Sequence, residues 1–505
     1  MAGKAEKALG ELVDLCKEIH LLRSCSSLLG WDERTYIPQK GTPHRAEQQS
    51  LLAGIVHDKF TSPKIGDLLN EIENSELVDD PLSPAAVNVR EIRRLYDKEV
   101  KLPKSLVEEI SRTVTLSEQA WVEARKKSDF HMFSPWLAKM TELKRQQADA
   151  IGYKKERYDA LLDDYEPGET AENIKKVFDG LRKELVELVE AIGSSSRRPD
   201  ISILERNYPV DKQEVVSKTA SASIGFDYNG GRLDITTHPF CTTIGPGDVR
   251  ITTRYNQNHF GQAFFGVLHE SGHGLYEQGL DPQYAGLPMG ESVSLGIHES
   301  QSRMWENFVG RSKPFWIYFF PWVKKVFWES LNDVKLDDFY FAINDVRPSL
   351  IRVEADEVTY NLHILLRFEI EHAIFAGDLK TDDVPGVWNE NFKRYFGIVP
   401  PDDARGCLQD VHWSCGYIGY FPTYTLGNLY AAQFFAKAKE ELGNLDEQFS
   451  HGSFTDLLSW LREKIHKHGM RYRAPDLVKE VTGKPLSHEY LMSYLKEKYG
   501  MLYGI

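Results

Sequence analysis

Phe264-Phe265-Gly266-Val267-Leu268-His269-Glu270-Ser271-Gly272-His273 is the stretch on which the reading of this chain turns. The run from Phe260 to Leu268 is apolar at helical spacing, which predicts a buried helix continuing through the polar end. Residues four apart on a helix share a face, about one turn apart along the axis. His269 and His273 therefore point the same way and can reach one ion, and Glu270 between them lies close enough to take a proton from water at that ion. Two His and one Glu on a buried helix need partners, because burying polar groups unpaired is costly. A metal ion supplies the partner. Zinc favours imidazole and carboxylate ligands, and its catalytic sites keep one position open for water. Gly272 and Gly274 each lower helix propensity by ~1 kcal/mol, which makes sense if another backbone or a substrate passes close by.

A catalytic zinc has three protein ligands, so a third is expected downstream, on a second helix. Glu291, in Met289-Gly290-Glu291-Ser292, and Glu299, in Ile297-His298-Glu299-Ser300-Gln301-Ser302, both satisfy the spacing. Glu299 is favoured because Glu299, Ser302, Arg303, Trp305 and Glu306 continue a helical pattern. The parts then define a reaction class. A metal lowers the pKa of water toward ~7, Glu270 acts as general base toward a carbonyl and later delivers the proton to the leaving amine, and nearby donors hold the oxyanion. This is amide hydrolysis without a covalent intermediate.

Upstream of this helix the pattern differs. Arg232 to Thr237 and Asp248 to Tyr255 alternate apolar and polar residues, with a turn-like Gly245-Pro246-Gly247 between them, which predicts a small antiparallel β-sheet. Residues 4–28, 45–58, 85–98, 104–128, 133–155 and 171–193 show apolar residues at three-to-four spacing and read as helices. Helices resume near 258 and are broken at Pro400-Pro401. The fold class is thus mainly α with one small sheet. The loop Ser194 to Pro199 separates a helical N-terminal part, 1–195, from the part carrying the metal motifs, 196–505, within one catalytic domain.

Composition limits the partners. The 505 residues carry 61 basic and 75 acidic side chains, a net charge of −14. With no basic block to offset it, this argues against nucleic acid and anionic membrane surfaces. The N-terminal thirty residues form an amphipathic pattern rather than a signal peptide, and no run approaches the ~18 apolar residues of a membrane span. The aromatic segment Pro314 to Phe320 reads as core or dimer packing. Five Cys form no CxxC pair, and a reducing cytoplasm fits.

Further segments line up in order: His238-Pro239-Phe240; Asp248-Val249-Arg250-Ile251-Thr252; His269 to His273; His298-Glu299-Ser300-Gln301; Ile351-Arg352-Val353-Glu354-Ala355-Asp356; and Gly406-Cys407-Leu408-Gln409-Asp410-Val411-His412-Trp413. In these the chain resembles the carboxypeptidase Taq family of HExxH metallocarboxypeptidases, over essentially its whole length. The resemblance implies a large, helical, saddle-like zincin domain with a deep groove, assembled as a homodimer, that removes single residues from peptides with a free C-terminus. It assigns one divalent ion to His269, His273 and Glu299 and the base to Glu270. The ion is expected to be Zn2+, and such sites also accept Co2+ or Mn2+. The same zinc machinery also serves peptidyl-dipeptidases and oligopeptide endopeptidases. A helical scaffold with a vestigial site is opposed by the retention of Glu270.

His412 with Tyr417-Ile418-Gly419-Tyr420-Phe421 is similar to a segment of the angiotensin-converting peptidyl-dipeptidases. That likeness implies that His412 and Tyr420 hold the substrate and its oxyanion, and that Tyr417 helps bind the terminal carboxylate. The His-to-Tyr spacing is two residues shorter here. Those enzymes also place an Asp four residues after the Glu ligand to orient a ligand His. Arg303 occupies that position, so the orienting carboxylate is expected from Asp356 or Asp410. For the substrate carboxylate a planar Arg fork serves best. Arg352 is the first choice, ahead of Arg250 and Arg347, and the competing role for Arg352 is an ion pair with Glu354 or Asp356. His238, held extended by Pro239, is a further candidate for contact with peptide.

Overall fold

A computed structural model describes residues 2–505. The N-terminal half consists of α1 (Ala2–Thr35), α2 (Thr42–Phe60), α3 (Pro63–Glu73), α4 (Pro84–Lys101), α5 (Lys104–Lys127), α6 (Ser134–Ile151), α7 (Arg157–Leu162), α8 (Ala171–Ser194) and α9 (Val210–Ser223). Local chemistry fixes several starts. Ser62 caps α3 and Ser83 caps α4, each with Pro at the first helical position, where its missing N–H costs nothing. The six expected helices are present with shifted ends. Helix α3 was not foreseen, although the Ser62-Pro63 start and its amphipathic pattern announce it.

Three strands follow: β1 (Gly231–Ile235), β2 (Cys241–Gly245) and β3 (Asp248–Thr253), in the order β1-β3-β2. The expectation of an antiparallel sheet is corrected. β1 runs parallel to β3, and only β2 pairs antiparallel with it, through the turn at Pro246-Gly247. The chain passes from β1 through Pro239 to the far edge of β3 before turning back. β2 was missed because all five of its residues are half-buried, so no alternation marks it. The sheet is wedged between α1 and the helix that follows. Arg250 and Arg232 lie over the Trp31 ring, at 4.3 Å and 4.9 Å, and Tyr36 donates to Asp234 at 2.7 Å.

The remaining helices are α10 (Phe260–Glu277), α11 (Leu295–Arg303), α12 (Lys313–Val326), the one-turn α13 (Trp328–Leu331), α14 (Leu336–Ile343), α15 (Thr359–Ala376), α16 (Val384–Phe396) and α17 (Pro422–Leu442). Four more close the chain: Leu445–Ser450, Thr455–Lys464, Ala474–Thr482 and Glu489–Tyr503. One buried cluster extends from Ala124 in α5 to Tyr503, so the 195–200 loop does not divide the core. A smaller cluster joins α1, α3 and α4. Phe315, Trp316, Phe319 and Phe320 of the aromatic segment belong to the main core, while Ile317 and Tyr318 are exposed. Among the described residues no helix is long and apolar enough to cross a membrane.

Candidate metal centre

Helix α10 is anchored at its start by aromatic packing. Phe260 lies 5.3 Å from Phe339, and Phe264 lies 5.1 Å from Trp316, centroid to centroid. The glycines at its polar end are required by close approach. A Cβ on Gly272 would stand 2.5 Å from the Gln301 carbonyl oxygen, and one on Gly274 would stand 2.6 Å from the Phe226 ring. Gly272 thus lets the backbone of α11 cross directly over the HExxH turn. From the other side Gly427 of α17 makes room for Glu299, whose Cγ would lie 2.5 Å from a Cβ there.

The start of α11 is fixed as firmly. Ser294 caps it, and the buried Glu166 carboxylate accepts from Ser294 Oγ and Gly296 N, both at 3.0 Å, and from Tyr430 at 2.9 Å. A carboxylate also suits a helix N-terminus electrostatically.

His269, His273 and Glu299 converge, each offering one ligand atom, with these atoms all within 4.8 Å of one another. Glu299 Oε2 lies 3.6 Å from His269 Nε2 and 3.4 Å from His273 Nε2. Both imidazole Nδ1 atoms are engaged behind the site. His269 Nδ1 is 2.9 Å from Glu306 Oε2. His273 Nδ1 is 2.5 Å from His298 Nδ1, and His298 Nε2 is 2.9 Å from Glu277 Oε1. This network sets the tautomers. His269 donates to Glu306, His273 donates to His298, and His298 donates to Glu277, which leaves both Nε2 lone pairs facing Glu299. The donor set therefore fits a divalent ion. Arg303 braces the carboxylates from one side, donating to Glu299 Oε1 at 2.7 Å and Glu306 Oε2 at 3.1 Å. Burial opposes the ionisation of Glu306, but Arg303 and His269 outweigh it and bring its pKa down to about 2. Glu270 has no such partner, and burial pushes it up to about 7.

A second cluster stands beside the first. Arg352, only 6% exposed, donates from Nε and Nη2 to Asp410 Oδ1 at 3.0 and 2.8 Å, and from Nη1 to Tyr360 at 3.1 Å. Arg367 donates to the other oxygen of Asp410 at 2.7 Å. Two guanidiniums on one carboxylate leave a net positive charge. Tyr360 links the clusters, since the Arg303 guanidinium lies 4.4 Å from its ring centroid. Gln409 accepts from Arg352 N at 2.8 Å, and Trp413 donates to Glu371 at 2.8 Å, so the Gly406–Trp413 segment is tied down at alternate points. Glu371 also accepts from Tyr158 at 2.7 Å and from Gly419 N at 3.0 Å. His412 Nε2 lies 3.4 Å from Tyr424 Oη, and burial lowers its pKa to about 4, so the ring is neutral. Tyr420 packs among Tyr165, Tyr424 and His412 at 5.1, 5.3 and 5.4 Å and feels the charge of Glu299. Tyr417 stacks on Tyr420 at 5.9 Å and is 47% exposed.

The carboxypeptidase Taq (M32) metallopeptidase model matches residues 11–499. The chain belongs to that family. It is 49% identical to thermostable carboxypeptidase 1 of Thermus thermophilus, over 99% of each chain. It is 41% identical to carboxypeptidase 1 of Bacillus subtilis, over 98% of each. The crystal structure of the M32 carboxypeptidase from Deinococcus radiodurans superposes with a TM-score of 0.95 at 39% identity, covering 99% of this chain and 100% of the other. As a carboxypeptidase Taq metallopeptidase, the protein is a metal-dependent carboxypeptidase.

Several expected residues in this family member are placed differently. The carboxylate orienting a ligand His is neither Asp356 nor Asp410. Asp356 caps α15, accepting from Val358 N and Thr359 N at 2.9 Å, and Asp410 holds the two arginines. Arg352 pairs with Asp410 rather than with Glu354 or Asp356. Arg250 is held by Asp248 at 2.7 Å and by Trp31, so it braces β3 against α1. Arg347 is exposed and paired with Asp345. His238 is exposed in the bend between β1 and β2 and is not one of the converging donors. Glu291 lies outside the donor group. Sequence reading missed Glu306, Glu277, His298, Arg367, Glu371 and Tyr424. Two of these carried a signal. Glu306 is two turns beyond Glu299 on one helical face, and Glu277 is one turn beyond His273.

Proposed function

We propose that this carboxypeptidase releases single residues from the free C-termini of peptides with one Zn2+ held by His269, His273 and Glu299. The observation that carries the reading is the convergence of three donors whose two imidazoles have their far nitrogens engaged, with Glu270 alongside. When bound, such an ion supplies Lewis acidity toward water and the peptide carbonyl. Glu270, with a pKa near neutrality, takes the proton of the attacking water and passes it to the leaving amine nitrogen. Tyr420 donates its hydroxyl to the oxyanion, with neutral His412 steadying the peptide. The cationic Arg352–Asp410–Arg367 cluster takes the terminal carboxylate, with Tyr417, stacked on Tyr420, assisting. The five cysteines are free thiols, which supports a cytoplasmic setting. Family membership supports a homodimer, which sedimentation checks.

An N-blocked hexapeptide tests the reading. The first product should be the C-terminal amino acid. Release should stop on chelation and return with Zn2+, and also with Co2+ or Mn2+. A dipeptide or an internal fragment as first product would make the enzyme a peptidyl-dipeptidase or an endopeptidase instead.

A further inference from the structure

Asp410, His412, Tyr417 and Tyr420 all lie on a segment of turns and bends, with no helix or strand to stiffen it. Its own backbone hydrogen bonds close single turns, such as Tyr417 N to the His412 carbonyl at 2.9 Å and Gly416 N to the Trp413 carbonyl at 3.1 Å. They do not fix the segment to the rest of the protein. His412 also lacks a firm anchor of its own, since its Nδ1 has no hydrogen-bond partner among the described residues and its Nε2 is 3.4 Å from Tyr424 Oη. The places of the two rings, 5.4 Å apart between centroids, therefore depend on what holds the backbone beside them.

One face of α15 supplies that hold. Arg367 and Glu371 are one turn apart on it. Arg367 takes Asp410, at the start of the segment. Glu371, only 1% exposed, takes two later points at once. Its Oε1 accepts from Trp413 Nε1 at 2.8 Å, next to His412, and its Oε2 accepts from Gly419 N at 3.0 Å, next to Tyr420. A third donor, Tyr158 Oη at 2.7 Å, comes from α7 and not from the segment. Gly419 has φ +85°, and a Cβ there would stand 3.0 Å from the Leu162 backbone, so α7 presses the chain toward Glu371 from the other side. A buried carboxylate is an expensive filler for a core. What it offers is two accepting oxygens on one rigid plane, where an amide offers one. Protonation leaves both bonds to the segment in place, with Oε2 donating to Tyr158 instead.

We propose that Glu371 is a positioning residue for the transition state. By holding Trp413 Nε1 and Gly419 N it fixes His412 relative to Tyr420 and aims the Tyr420 hydroxyl at the oxyanion. The inference rests on the roles proposed above for His412 and Tyr420. An oxyanion donor acts in the transition state, so loosening it lowers kcat and leaves KM nearly unchanged.

The test uses the full-length metal-loaded enzyme and an N-blocked peptide with a free C-terminus. Melting temperature and metal content are measured on every variant. Glu371→Gln keeps the shape but only one accepting oxygen, and its kcat should fall by roughly 10- to 100-fold with KM within about threefold of wild type. Trp413→Phe removes one bond to the segment and should lower kcat by about tenfold in the same way. Tyr158→Phe removes a bond to the same carboxylate from outside the segment, so it should lose stability and keep wild-type kcat. Should Glu371→Gln not fold, the comparison of Trp413→Phe with Tyr158→Phe decides alone. In a Tyr420→Phe background the cost of Glu371→Gln should shrink, because the hydroxyl it aims is gone. Equal kcat losses in Trp413→Phe and Tyr158→Phe, an unchanged kcat in Glu371→Gln, or an undiminished cost in the Tyr420→Phe background would each overturn the proposal. Wild-type kcat in Tyr420→Phe itself would instead remove Tyr420 from the mechanism, and this inference with it.

Discussion

His269 Nδ1 and Glu306 Oε2 stand 2.9 Å apart, and Arg303 holds the same carboxylate at 3.1 Å. The residue that orients the first ligand thus lies two turns beyond the third ligand. It sits on a π-helical continuation of α11, Met304–Val309, a winding often found at functional sites. Where an Asp one turn after Glu299 would have oriented the imidazole, this chain uses Arg303 to position a carboxylate farther along. Glu306→Ala should weaken metal affinity by about 10- to 100-fold, as loss of such an orienting group does. Competition with a chromogenic chelator measures it, and an unchanged affinity would mean that His269 is oriented by the fold alone.

Glu270→Gln separates base from ligand. Glu270 is not one of the three converging donors, so the variant should bind metal like the wild type. Its kcat should fall by ~10²-fold or more, the usual cost of losing a general base. Elemental analysis and kinetics on one preparation decide the matter. Activity within about tenfold of wild type would remove Glu270 from the mechanism.

Glu299→Ala and Glu291→Ala distinguish the two carboxylates that the sequence offers as third ligand. Only Glu299 lies with the imidazoles, so metal content should collapse in the first variant and persist in the second. The opposite pattern would refute the donor group described above.

What the sequence conveyed and what it withheld follow from the range of the interactions. The helix pair α10 and α11 was legible because each is specified within about ten residues: apolar spacing before His269, the helical pattern from Glu299 to Glu306, and glycines where backbones cross. The parallel pairing of β1 with β3 was not, because it depends on the path of the bend at Pro239 and not on alternation within either strand. The partner of Arg352 was also out of reach. Asp410 lies 58 residues away, and acidic neighbours at positions 354 and 356 were nearer in the chain but are directed elsewhere by the turn into α15. Glu306 already stands in the helical pattern two turns beyond Glu299, and only its role toward His269 went unread.

Glu371 predicts a pH dependence of stability. Its ordinary pKa near 4.5 rises to about 7 on folding, because burial outweighs the donors Tyr158, Gly419 and Trp413. The folded state therefore binds a proton that the unfolded state releases between these values, and stability falls as pH rises through that window. Over the full window the change would be on the order of 3 kcal/mol. Glu371→Gln cannot titrate, so its melting temperature should fall less steeply than that of the wild type between about pH 4.5 and 7. The constant offset between the proteins reports the altered hydrogen bonds. Parallel slopes would show that Glu371 is ionised throughout.

Arg352 carries the most exacting prediction, because the structure gives it a structural partner and a functional position at once. Its Nε and Nη2 are committed to one oxygen of Asp410, and Nη1 to Tyr360. A purely structural ion pair would account for these contacts. It would not account for the second guanidinium, since Arg367 already neutralises Asp410 from its other oxygen. The excess positive charge beside Tyr420 and Tyr424 is what a docking carboxylate requires. Arg352→Ala leaves Arg367 to balance Asp410, so the buried acid keeps a partner and the fold should survive. Its kcat/KM on a peptide with a free C-terminus should drop by roughly 10- to 150-fold, equivalent to ~1.5–3 kcal/mol for one charge-assisted contact. Its effect on the C-terminal amide of the same peptide, a poor substrate for the wild type as well, should be small. Parallel kinetics on the free acid and the amide give the answer. Equal losses on both would make Arg352 a structural brace and transfer the terminal carboxylate to Tyr417, the exposed aromatic at the edge of the same cluster.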